Sequence, residues 1–235
     1  MEVADDTGHF GSPCTEHSKD SESAPLQTIP LKNLPLLPAR GDGYHSEPQF
    51  GICLVMVLSA VLVGVTHVAA AVGGSDKVET FKCFWVQLIW AEAVTAILCM
   101  LFILCGGAGV IHRSEQTCYP IPEDVEEKLR AGVSGSGGLG SNRAGPPGSP
   151  ILGTYCVRCL VWRPPHDASH HCSVCQRCVV GFDHHCDVFG RCIVRGNMLC
   201  FFILIGMMCA GMITAMVSVA VAVGNQSLPQ ANGGS

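Results

Sequence analysis

The sequence predicts an all-α integral membrane protein: three transmembrane helices, with a small loop- and hairpin-rich cysteine-rich domain on the cytosolic side. Three observations lead there. Of 235 residues, 48% are apolar and only 14% charged, and the mean hydropathy is +0.35, too apolar and too uneven for an ordinary soluble domain. Almost all of the excess sits in three stretches that are nearly free of charge. The basic residues gather in one loop, which also holds seven of the 15 cysteines between Cys156 and Cys192.

Residues 1–49 are rich in Ser, Pro, Asp and Glu and are expected to be disordered. The spans follow at 50–72, at 84–111, with Glu92 as its one acid, and at 198–223, with no charge at all. Each can cross a hydrocarbon core of about 30 Å, which takes roughly 20 helical residues. Without water to bond, backbone groups in lipid must pair within a helix. Glu92 is costly in lipid and should face a neighbouring helix; His67 should sit at an interface. The first span starts too far into the chain, and is too long, for a secretory signal. An oxidising compartment is therefore not implied, and the cysteines read as metal ligands, reactive thiols or small apolar residues rather than disulfides.

Lys and Arg set the orientation. The loop 73–83 carries only Lys77 and Lys82, whereas 112–197 carries Arg113, Lys128, Arg130, Arg143, Arg158, Arg163, Arg177, Arg191 and Arg195. The long loop and the N-terminus are thus expected in the cytosol, and 73–83 and 224–235 in the lumen. The sequon at Asn225 is expected to lie too near the bilayer for use. Within 112–154, "PIPEDVEEKLRAG" has a short helix's acids first and basic residues last, and "GVSGSGGLGSNRAGPPGSP" reads as a flexible linker.

Residues 155–197 form the chemical unit. It has too few apolar residues for a core of its own, so metal is the expected staple. Cys156/Cys159, Cys172/Cys175 and Cys175/Cys178 each have the C-x2-C spacing that lets two thiolates reach one zinc. Two closed tetrahedral sites need eight ligands. Six cysteines and two histidines supply them and leave one cysteine free; seven cysteines and one histidine also supply them and leave none. Spacing leaves both counts open. Cys186, in "FDHHC", follows Asp183, His184 and His185. A histidine can take a thiol proton and a carboxylate can orient that histidine. Equally, the four residues can be a ligand-rich turn.

The pattern C-x2-C…HHC-x2-C-x2-C-x4-DHHC-x5-C-x4-N, from Cys156 to Asn197, resembles the cysteine-rich domain of the DHHC protein S-acyltransferases. The resemblance implies acyl transfer, usually of palmitoyl, from acyl-CoA to protein cysteines through an acyl-enzyme thioester. It implies Cys186 as nucleophile, His184 as base and Asp183 as its orienting acid. It implies two structural zinc ions, one on Cys156, Cys159, His171 and Cys178, the other on Cys172, Cys175, His185 and Cys192. It also implies membrane lipid, palmitoyl-CoA and proteins with membrane-proximal cysteines as partners, and residence in the endomembrane system (ER, Golgi or plasma membrane). Nucleic acid is not expected, because the unit is wedged between two spans.

Four departures stand out. The Cys159–His171 interval is two residues longer than in the family and adds His170 and His166 as competing ligands. Asp187-Val188 replaces the Pro-Trp that usually follows the motif, with Arg191 near enough to offset the acid. Gly107-Ala108-Gly109 replaces an Asp-Pro-Gly. The family's fourth span and Thr-Thr-x-Glu motif do not follow in the residues given, so a truncated or non-catalytic scaffold form is the alternative expectation.

Overall fold

The computed structural model describes residues 28–72 and 79–227. Helices α1 (Gly43–Val72) and α2 (Glu79–Cys105) come first, and α6 (Met198–Ser227) last. Between them lie three short helices, α3 (Glu115–Cys118), α4 (Glu123–Arg130) and α5 (Gly135–Leu139). Seven short strands follow α5: β1 (Arg143–Ala144), β2 (Thr154–Cys156), β3 (Val161–Arg163), β4 (His170–Cys172), β5 (Arg177–Val179), β6 (Phe182–Cys186) and β7 (Arg191–Val194).

The long helices α1, α2 and α6 are each long and apolar enough to cross a membrane, with mean hydropathies of 2.4, 2.4 and 2.3 over their most apolar windows. They pack pairwise into a bundle. Ile89, Ala96 and Met100 face inward, while Val61, Leu98 and Met216 remain exposed on faces suited to lipid. Glu92 does face a neighbour: the Thr214 hydroxyl of α6 donates to its Oε1 at 3.0 Å. Trp90 Nε1–H donates to His67 Nε2 at 3.0 Å, tying α2 to α1.

The label all-α is imprecise: the hairpins expected in the cysteine-rich unit are present and carry paired strands. β2 pairs with β3, β4 with β5 and β6 with β7, all antiparallel, and β1 adds to β2. Four-residue connections (157–160, 173–176 and 187–190) close the three hairpins. Each ends in a left-handed residue: Leu160 (φ 55°), Gln176 (φ 50°) and Gly190 (φ 58°). Such short strands are marginal alone. C-x2-C chemistry and docking, rather than propensity, select them.

Disorder was expected through residue 49. Residues 1–27 lie outside those described, but 28–42 dock on the cysteine-rich unit and α1 already begins at Gly43. Leu34 is buried, and Ile29, Leu31 and Leu37 pack against Tyr155, Leu160, Val161, Val125 and Leu139. The unit therefore does acquire a core, by recruiting apolar residues from both sides. The glycine-rich linker is likewise pinned: Leu139 is buried, Asn142 Oδ1 accepts from Val157 N at 3.2 Å, and Arg143 Nε donates to Asp124 Oδ2 at 2.8 Å. The short helix α4 forms with acids Glu123, Asp124 and Glu126 first and Lys128 and Arg130 last, matching the helix dipole.

Candidate functional site

The hairpins interlock. His171, at the middle of β4, reaches back to the first connection, with Nδ1 3.5 Å from Cys156 Sγ, 3.3 Å from Cys159 Sγ and 3.7 Å from Cys178 Sγ. His185, on β6, repeats the arrangement one hairpin later, with Nδ1 3.4 Å from Cys172 Sγ, 3.5 Å from Cys175 Sγ and 3.8 Å from Cys192 Sγ. The structure thus brings together the two sets of four that the resemblance had grouped, with the ligand atoms of each set within 4.8 Å of one another.

These distances fit tetrahedral zinc. Bonds of about 2.3 Å to sulfur and about 2.0 Å to nitrogen at a tetrahedral angle give S···N edges of about 3.5 Å and S···S edges of about 3.8 Å. The Cys175–Cys192 sulfur separation is 3.6 Å. Electrostatics also calls for a cation. Hydrogen bonds from Cys159 and Cys175 hold the Cys156 and Cys172 thiols far below the usual thiol range; bonding to Cys156 and Cys172 drives Cys178 and Cys192 far above it. Cys175 is likewise pushed up, to about 11, by its bond with Cys172. Packed thiols cannot all ionise unless a cation stabilises them. His166 and His170 join neither set; His170 stacks instead on Phe182, ring centres 4.4 Å apart.

Two features escaped the sequence reading. The first is a short internal repeat, HHC-x-V-x2-R-C, at 170–178 and again 14 residues on at 184–192. Each metal set takes its C-x2-C pair from one connection and its histidine and last cysteine from the next hairpin. The third connection carries Cys186 in the first-cysteine place, but Phe189 where the second cysteine would be. No further hairpin follows before α6 to supply a histidine. Cys186 is therefore the open end of the series.

Its surroundings agree. Along a strand alternate side chains face opposite ways, so His185 faces the metal set while His184 and Cys186 share the other face. Cys186 is 9% exposed and packs with Val55, Ile103, Phe189, Ile193 and Leu204, at the end of the helix bundle. Asp183 Oδ2 lies 2.7 Å from His184 Nδ1, and the strand pairing is irregular between Phe182 and His184. The Phe201 ring meets His184 edge-on, centres 5.5 Å apart. Asn197 is buried; its amide donates to Cys192 O at 3.0 Å and accepts from Val194 N at 2.8 Å, joining β7 to α6.

The second missed feature is Glu47, outside the cysteine-rich unit. Its Oε2 lies 3.0 Å from His185 Nε2, the ring nitrogen that faces away from the sulfurs. A carboxylate there fixes the imidazole's tautomer and direction. Exposed Asp187 stands in the same group as Glu47 and His185. Arg191 does not offset it as expected. Its guanidinium instead donates to Leu104 O at 3.2 Å and Tyr44 O at 3.0 Å. Two glycines let α1 approach. A Cβ on Gly51 would sit 2.4 Å from Val188 O, and one on Gly190 2.6 Å from Pro48 Cδ.

Comparison with known proteins points to the same part of the chain. The family model for the DHHC palmitoyltransferases matches residues 151–231. Palmitoyltransferase ERF2 of Eremothecium gossypii is 43% identical over 35 residues, which is 15% of this chain and 9% of that protein. The chain thus spans a small part of the relative it matches. The family match falls on the hairpins and the third span, the parts that the fold itself sets apart, and over those residues the chain is similar to the DHHC palmitoyltransferases.

Proposed function

We propose that the chain is a protein S-palmitoyltransferase with Cys186 as the acylated nucleophile. The observation that carries this is the open third connection, where Cys186 lacks both a partner cysteine and a following histidine. Cys156, Cys159, His171 and Cys178 would hold one zinc, and Cys172, Cys175, His185 and Cys192 the other. The zincs supply rigidity, closing turns that are too short to hold themselves.

His184, held by Asp183 through Nδ1, takes the Cys186 thiol proton. The thiolate attacks the acyl-CoA carbonyl, the carbon–sulfur bond to CoA breaks, and CoA leaves as its thiol with a proton returned by His184. A substrate cysteine thiolate then attacks the Cys186 thioester, takes the acyl group and releases Cys186. The apolar cluster around Cys186 continues into the helix bundle, which favours an acyl chain lying at the membrane and substrates whose cysteines are near it. The basic loop favours a cytosolic domain in an endomembrane.

A non-catalytic zinc-binding scaffold is the second reading, favoured by the acid Asp187 beside the thiol, which opposes thiolate formation and repels CoA phosphates. Self-acylation decides. The zinc-loaded protein in detergent, given labelled palmitoyl-CoA, is expected to take up label that hydroxylamine removes and that Cys186→Ser abolishes. A folded, zinc-loaded protein that takes up none sinks the enzyme reading.

A further inference from the structure

A cavity of about 220 Å³ lies where the start of α1, the end of α2 and strands β5 and β7 meet, lined among others by Arg40, Tyr44, Cys105, Arg177 and Arg191. The guanidinium carbons of Arg40 and Arg191 each lie 3.8 Å from the centre of the Tyr44 ring. Arg177 Nη1 donates to Pro38 O at 2.9 Å, and Arg191 Nε and Nη1 hold Leu104 O and Tyr44 O. Backbone carbonyls and an aromatic face thus aim the arginines before any ligand arrives, lowering the ordering cost of binding. Among the described residues, none of the three makes an ion pair, and the Arg40 guanidinium has no hydrogen-bond acceptor.

Gathering three cations raises their mutual repulsion, which Cys175 and Cys192, also in the cavity lining, offset only in part because as thiolates they would share their charge with a metal ion. The net charge of the chain is -5, so acids were there to be used, yet none is paired with these three. The guanidinium fork matches phosphate oxygens. Cys105, the last residue of a membrane-spanning helix, lines the cavity, which puts it at headgroup depth. Its volume falls below the roughly 300–1,000 Å³ of pockets for drug-sized ligands, so it suits one headgroup rather than a whole cofactor.

We propose that this cavity binds a phosphate group, presented by an anionic lipid headgroup or as soluble phosphate. The site is separate from Cys186 and stands whether or not the chain transfers acyl groups. The test is thermal unfolding of the full chain, zinc-loaded and in detergent, titrated in three arms with phosphatidic acid, phosphatidylcholine or inorganic phosphate. Ligand that binds only the folded state raises Tm saturably. Phosphatidic acid is expected to do so and phosphatidylcholine not. Arg40→Gln and Arg191→Gln should each raise the half-saturating concentration about tenfold or more, as loss of a charge-assisted contact does; Arg158→Gln, outside the cavity, should not. Saturation by phosphatidic acid but not inorganic phosphate assigns a lipid; saturation by both assigns any phosphate group. Equal shifts with phosphatidylcholine, or an unchanged half-saturation in Arg40→Gln, overturn the proposal. The Arg40 guanidinium makes no hydrogen bond or ion pair among the described residues, so that variant keeps the test valid if Arg191→Gln fails to fold.

Discussion

The second and third connections of the cysteine-rich unit make a natural pair. Both follow HHC, both carry Val two residues after that cysteine, and both end in Arg-Cys. Both close hairpins through a left-handed residue, Gln176 in one and Gly190 in the other. They differ at three positions, Ser173 against Asp187, Cys175 against Phe189 and Gln176 against Gly190, and only the second removes a thiol. Where the pair is complete, both thiols sit in a metal set. Where Phe189 stands, Cys186 turns to an apolar cluster with that ring and the helix bundle. The same local frame can therefore place a cysteine in a candidate metal set or leave it outside one, depending on whether a second cysteine and a following histidine are there to complete the set.

The largest expected effect breaks the comparison at the two cysteines. Cys186→Ser should remove all self-acylation and leave zinc content unchanged, while Cys175→Ser should lose about half the zinc by elemental analysis, since a site missing a thiolate no longer closes. Equal zinc loss in both would make Cys186 a ligand. Next comes His184→Ala, expected to slow acylation by about 100–10,000-fold, the usual worth of a positioned base, with zinc retained. A deficit that rising pH repairs would mark the role as proton removal, because the thiolate then forms without help.

Glu47→Ala should speed zinc release to a chelator by about 10–100-fold for the second set only, the typical cost of losing a carboxylate behind a metal-bound histidine. Equal release from both sets would reduce Glu47 to a packing residue. The smallest effect rebuilds the missing pair: Phe189→Cys gives Cys186 a partner at C-x2-C spacing. Acylation should drop about tenfold in added zinc and recover with a chelator too weak to strip the closed sites. An activity indifferent to zinc would mean that the third connection does not hold its thiols as the second does.

Much of this was legible in the residues. The three apolar stretches announced three long helices because lipid leaves the backbone no other partner. C-x2-C spacing announced clusters fit to hold metal because two thiolates on one tight turn can reach one ion. Other parts were not legible. Residues 28–42 read as disordered because polar composition hides Ile29, Leu31 and Leu34, which matter only once a neighbouring surface exists to receive them. The glycine-rich linker read as free for the same reason, although Leu139 anchors it. Hairpins were expected in the cysteine-rich unit, but their strands were not placed, because runs of two to five residues carry too little periodicity.

By itself, then, the sequence determined that three apolar stretches form long helices, though not their bounds, since the second was expected to run to residue 111 and its helix ends at Cys105; it also determined the ligand types and their spacing, which depend on composition and on distances of a few residues along one chain. Which cysteines meet which histidine was a tertiary decision, as His171 reaches back to Cys156 and His185 to Cys172 across separate hairpins. So was the docking of Glu47 and the Tyr44 arginine cluster onto strands more than 100 residues away in the chain. Long-range pairings of this kind arise from shape and packing between surfaces that exist only after the hairpins and helices have formed.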